Sequence, residues 1–189
     1  MSWPGRTKGT PATSQQMPTV KVVANPSKGD RMPESVQERV RTHLDHGWAC
    51  LDKGKYDDAI ADFDKAIALD PNDAAAYGNR GNAYYSKGEV DRAIADYTKV
   101  IALNPNDAKA YYNRGNAYDD KGEVDRAIAD YTKAIALDPK LAQAYYNRGY
   151  TYEKKGDKDQ AIADFRKALE IDSSDQNAKN NLKALGVTP

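Results

Sequence analysis
Apolar and small residues along most of this chain fall into pairs of short runs at helical spacing. Within residues 74–107, Tyr77, Gly81 and Tyr84 line one run and Ala93, Ile94, Tyr97 and Ile101 line the next. Gly88 separates the runs and suits the left-handed residue just past a helix end. The pattern returns every 34 residues: Gly47, Gly81, Gly115 and Gly149; Gly54, Gly88, Gly122 and Gly156; Ala59, Ala93, Ala127 and Ala161; Phe63, Tyr97, Tyr131 and Phe165. Pro71, Pro105 and Pro139 close the first three units, and Ser173 stands in that place in the fourth. Each unit predicts two antiparallel helices, with the first glycine and the later alanine small enough to let them approach closely. A period of this length marks a stacked array of hairpins.

The pattern stops at both ends. Residues 1–34 hold prolines at 4, 11, 18, 26 and 33 among Gly, Ser, Thr and Gln, a composition that buries too little to offset its ordering entropy. They are expected to form a flexible basic tail, with Pro18 to Val23 able to extend along a surface. Ser35 with Glu38 fits a capping box at the start of the first helix. Four hairpins are expected over residues 40–73, 74–107, 108–141 and 142–175. Residues 176–186 then place Ala178, Leu182 and Leu185 on one helical face and Lys179, Asn180 and Lys183 opposite, as a terminal cap requires. With both ends so finished, the array is expected to stand on its own.

The Gly, Tyr, Gly, Ala, Tyr/Phe, Ala, Pro series, repeated over four units and about 140 residues, resembles the tetratricopeptide repeat family. The resemblance implies an all-α, right-handed superhelical solenoid of antiparallel helix hairpins. It departs in the first unit, where His43 and Cys50 replace Tyr, and at Val100, which replaces Ala. In that family the first helix of each hairpin lines a concave groove that holds extended peptides. The implied function is a non-enzymatic adaptor or scaffold. The alternative is self-association, end to end or through the apolar side of Leu141, with the groove filled by the protein's own tail.

Units 74–107 and 108–141 differ at only eight of thirty-four places. Four differences lie in the turn and packing region; the others, Ala75/Lys109, Gly78/Tyr112, Tyr85/Asp119 and Ser86/Asp120, form one stripe along the first helix. The outer stripe of the second helix (Asp91, Arg92, Asp96, Thr98 and Lys99) is read as equally exposed, yet it is unchanged in the twin unit. Variation confined to one exposed stripe points to a partner lying there. On that stripe Asn79, Asn82, Asn113, Asn116 and Asn147 recur. A carboxamide both donates and accepts, so a row of them can grip the main chain of a peptide; the other use of such amides is to bond a neighbouring helix. Five such bonds with contacts from Tyr112 and Tyr146 would give about −8 kcal/mol, or roughly micromolar binding. Trp48, with Leu44, falls on the same stripe as a binding anchor or as packing beneath the incoming tail. Asp119, Asp120 and Glu153, partly offset by Lys109 and Lys154, favour a neutral to basic segment. The Lys and Asn carboxylate clamp by which a branch of the family takes chaperone C-termini is mostly missing, so such a tail is not the expected partner. Arg80, Arg114 and Arg148 sit one place off the stripe and are expected to pair with acids of the neighbouring hairpin, for example Asp70 or Asp138.

Composition removes other classes. The chain has 28 basic and 28 acidic residues among its 189, and this balance lacks the cationic excess of a nucleic-acid binder. No apolar run is long enough to span a membrane, and no signal-peptide core is visible, so a cytoplasmic location is expected. There is no phosphate loop, nucleophile elbow or HExxH motif, so neither a cofactor nor catalysis is expected. Carboxylates recur once per unit on faces read as outward, which suggests solvation. Thirteen tyrosines against two phenylalanines are explained if most tyrosines pack their rings and extend the hydroxyl to a rim. His43, His46 and Cys50 lie at i, i+3 and i+7, but the sequence offers no partner motif to complete a zinc set, so no metal is expected there and Cys50 is read as packed.

Overall fold
A computed structural model describes residues 34–188. The tail and its Pro18 to Val23 segment therefore lie outside the described residues. The described chain is all-α, a helical repeat solenoid of four hairpins followed by one more helix. The hairpins are α1 (Glu34–Leu51) with α2 (Tyr56–Leu69), α3 (Ala74–Lys87) with α4 (Val90–Leu103), α5 (Ala108–Asp120) with α6 (Val124–Leu137), and α7 (Ala142–Lys155) with α8 (Lys158–Ile171); α9 (Gln176–Ala184) follows. Helix α1 already includes Ser35, so Ser35 lies inside the first turn and not at its cap.

Each hairpin closes for a local reason. Gly88 ends α3 at φ 86°, and its N–H and that of Glu89 bond back to the carbonyls of Tyr85 and Tyr84 at 2.9 and 2.8 Å. A left-handed residue here satisfies two carbonyls the helix leaves over, and glycine takes that conformation without a Cβ clash. The next first helix is started by an aspartate. Asp73, Asp107 and Asp175 each accept two backbone N–H bonds at the N-termini of α3, α5 and α9. Leu141 holds that place before α7 and provides no side-chain cap.

Within a hairpin the helices touch through the first glycine. A Cβ at Gly115 would lie 2.8 Å from Cε1 of Tyr131, and one at Gly47 would lie 2.5 Å from Cε1 of Phe63. Phe63, Tyr97, Tyr131 and Phe165 are essentially buried, as are Ala59, Ala93, Ala127 and Ala161. The end of the array is covered by α9, whose buried Ala178 and Leu182 join Ala161, Phe165 and Ala168 in one cluster.

Curvature follows from which helices meet. Besides contacts along the chain order, α1 meets α3 and α5 meets α7, whereas no second helix meets the next second helix as closely among the described residues. The first helices therefore crowd together on one side, which is the inner side of the bend.

Candidate functional site
The inner side carries the candidate residues, and five of them, Asn82, Tyr112, Asn113, Asn116 and Asn147, are bonded to one another. Asn82 accepts from the Tyr97 hydroxyl at 2.9 Å and from the Asn113 amide at 3.3 Å. One hairpin on, Asn116 accepts from the Tyr131 hydroxyl at 2.8 Å and from the Asn147 amide at 2.8 Å. Asn147 also donates to the Tyr112 hydroxyl at 3.1 Å. Asn79 is buried. Of the two uses open to these amides, bonding a neighbouring helix is thus met by Asn82, Asn113, Asn116 and Asn147. A polar pair between stacked helices fixes their register because an unmatched amide there would lose its bond.

The edited positions join the same seam. Asp120 accepts from the Tyr85 hydroxyl one hairpin earlier. Asp119 takes Lys154 at 2.9 Å and the buried Thr151 hydroxyl at 3.2 Å from the hairpin after it. The Tyr85–Asp120 and Asp119–Lys154 pairs each span 35 residues, one repeat plus one residue. The Tyr85 hydroxyl is raised well above the ordinary phenol range by burial and by the Asp120 carboxylate. Tyr112 tilts against the Tyr131 ring at 6.1 Å, and burial pushes its hydroxyl up as well. Tyr146 lies 5.6 Å from the Phe165 ring. Trp48 is half-buried against the cluster around Phe63 and Tyr97, and Lys109 is exposed near the start of α5.

Sequence reasoning passed over Tyr150. It is 45% exposed, the large hydrophobic side chain most open to solvent among the described residues, with the Lys154 ammonium 5.7 Å over its ring. The signal was available: Trp48, Asn82, Asn116 and Tyr150 occupy the same place in the four repeats.

Two expectations need correction. The arginines pair chiefly within their own hairpin: Arg80 also reaches an acid of the neighbouring hairpin, Asp64, but Arg114 and Arg148 do not, and none meets Asp70 or Asp138. Arg80, Arg114 and Arg148 each form a two-pronged pair with Asp96, Asp130 and Asp164 on the second helix of their own hairpin, at 2.7–2.9 Å. Their third prong reaches the preceding hairpin, at Asp64, Thr98 or Thr132. The spacing is 16 residues, which the turn geometry sets and the sequence does not display. The second correction follows from the first. Asp62, Asp96, Asp130 and Asp164 are buried, not outward solvating groups. Of that stripe only Asp96 is buried; Asp91, Arg92, Thr98 and Lys99 are exposed but engaged, Thr98 receiving Arg114, Asp91 receiving Lys121 at 2.6 Å and Lys99 lying over the Tyr77 ring.

Among the described residues no helix is long and apolar enough to cross a membrane. Comparison with known proteins places this geometry. The tetratricopeptide repeat model matches residues 142–175, and a related model of the same repeat matches 47–88, 81–122 and 115–156. No curated protein matches the chain. Among solved structures, one of MamA is 39% identical over 73% of this chain and 81% of its own, with a TM-score of 0.68. MamA from Desulfovibrio magneticus RS-1 is 28% identical over 74% of this chain and 80% of its own, with a TM-score of 0.67. The TPR domain of Arabidopsis OM64 is 34% identical over 60% of this chain and 93% of its own, with a TM-score of 0.59. With buried glycine contacts, arginine-braced hairpins and repeat matches running from residue 47 to residue 175, the chain belongs to the tetratricopeptide repeat family and is a protein–protein interaction scaffold.

Proposed function
We propose that the inner face holds an extended segment of a partner protein, lying along the row Trp48, Asn82, Asn116 and Tyr150. The observation that supports this reading most is the exposure of Tyr150, a large ring left open on a surface where other aromatic groups are packed or bonded. An amphipathic ring at low entropy cost is a common anchor for a partner. The charges on this face are Lys109, Asp120 and Glu153, with Asp119 already neutralised by Lys154. The segment is therefore neutral to basic. A chaperone C-terminal carboxylate does not suit the face, because Arg80, Arg114 and Arg148 are committed to buried aspartates.

A library of extended peptides tests it, screened against the protein and against Tyr150→Ala, Lys109→Glu and Asp120→Asn. These side chains lie at the surface, so the fold should survive. Loss of roughly tenfold or more in affinity for Tyr150→Ala, about 1.4 kcal/mol, is expected. Peptides that bind all three variants as tightly as the parent would move the binding surface elsewhere.

A further inference from the structure
Hairpins two to four share one device. A guanidinium lies between two tyrosine rings, as Arg114 does with Tyr111 and Tyr118 at 5.7 and 5.8 Å, and it neutralises a buried aspartate. The first hairpin keeps the aspartate, Asp62, and changes all three groups around it. His46 stands in the place of the arginine, while His43 and Cys50 stand in the places of the tyrosines. All three replacements are metal-ligating residue types. A terminal repeat needing only a more polar surface would have no reason to choose two imidazoles and a thiol around a buried carboxylate.

The fold brings them together. His46 Nδ1 is in close contact with Asp62 Oδ2, and Cys50 Sγ lies 3.9 Å from His46 Nδ1. The ligand atoms of His46, Cys50 and Asp62 all fall within 4.8 Å of one another. A tetrahedral zinc ion with bonds of about 2.0–2.3 Å holds its donors about 3.3–3.7 Å apart. To reach that spacing the His46–Asp62 contact opens while the Cys50 and Asp62 side chains turn toward each other, shifts on the order of an ångström. Residues 46 and 50 share a helix face, one turn apart, and Asp62 faces them from α2.

We infer that His46, Cys50 and Asp62 form a zinc-binding site, with the fourth position left to water on the solvent side of His46. Charge supports this assignment. Elsewhere a guanidinium neutralises the buried carboxylate from both prongs; here Asp62 has Lys65 on one oxygen only, and a divalent ion on the other side offsets the Cys50 thiolate, whose proton goes to solvent on binding. Mixed sulfur, nitrogen and oxygen donors suit Zn2+ better than the oxygen-seeking Mg2+ or Ca2+. His43 and Lys65, at 3.3 and 3.0 Å from Asp62 Oδ1, hold the carboxylate from behind, the usual place for groups that orient a ligand. The sequence had suggested no metal here because it showed three donors on one helix and no partner motif. The missing donor is Asp62, brought in from α2 by the fold.

The test uses the full chain, purified without a polyhistidine tag and stripped of metal. Cys50 is the chain's single cysteine and His43 and His46 its only histidines, so a cobalt–thiolate signal has one possible source. Adding Co2+ should give a thiolate charge-transfer absorption, and Zn2+ should abolish it. Zn2+ at about a hundredfold excess over its Kd should raise the unfolding midpoint by about 5–10 °C. Cys50→Ser should lose the absorption. His46→Arg restores the pairing of the other hairpins, so it should fold at least as well and lose the Zn2+ response. Absence of the cobalt–thiolate band in the parent, or a Zn2+ shift that persists in His46→Arg, would overturn the proposal.

Discussion

The first hairpin and the third place a buried aspartate at the same point and treat it differently. Asp130 is held by both prongs of a half-buried guanidinium that stays charged at any pH the fold survives, its pKa raised further by the Asp130 hydrogen bonds. Asp62 faces the imidazoles of His43 and His46, the thiol of Cys50 and one exposed lysine. Burial pushes the Asp62 carboxyl up, but hydrogen bonds from His46, Lys65 and His43 outweigh that and hold it below its ordinary value. In the third hairpin one guanidinium locks the carboxylate from both prongs, whereas in the first His43, His46 and Lys65 share it. Equivalent places in the repeat thus carry a two-pronged brace in one hairpin and a mixed polar cluster in another.

The largest expected effect lies in that contrast. Arg114→Ala leaves Asp130 charged and buried without its partner, and such a loss costs about 3–5 kcal/mol. His46→Ala in metal-free buffer should cost only about 1 kcal/mol, because the His46 side chain is exposed and Asp62 retains His43 and Lys65. Urea unfolding of the two variants measures the difference. Equal losses would mean the two hairpins are braced alike, and the comparison would collapse.

An intermediate effect should be common to both hairpins. Gly47→Ala and Gly115→Ala each drive a methyl group into a buried ring held on both sides, Phe63 in one case and Tyr131 in the other. Overpacking of this kind costs about 1–3 kcal/mol. Similar losses in thermal melts would show that the hairpins share their packing and differ only in polar chemistry; a loss confined to Gly115→Ala would show that the first hairpin is packed loosely.

The smallest effect is expected at the seam. Lys154→Met removes the partly exposed pair with Asp119, a change of less than about 1 kcal/mol that should shrink further in high salt. A melt that falls by several degrees irrespective of salt would mark the seam as a principal support.

Much of this was readable from the chain. The 34-residue period with its paired glycines and recurring alanines identifies the hairpins, since helical spacing and small residues act locally. The candidate stripe was legible as a place but not as a state. Asn82 and Asn116 look like groups awaiting a peptide until Tyr97 and Tyr131 are seen to donate to them. Asp119 and Asp120 look like an acidic patch until Lys154 and Tyr85 are placed opposite, 35 residues away. Tyr150 could have been found by lining up equivalent places, because exposure at one repeat is informative only beside its counterparts.

The sequence by itself therefore determined the repeat, the hairpin and the face on which variation gathers, because each depends on residues within one turn or one period. Only the tertiary structure decided which polar groups are already spent. Arg80 meets Asp96 across a hairpin, Asn147 meets Asn116 across a seam, and His46 and Cys50 meet Asp62 across two helices. Such pairings depend on the crossing of packed helices, and a hydrogen bond forms or fails over less than an ångström, a distance that residue order does not specify.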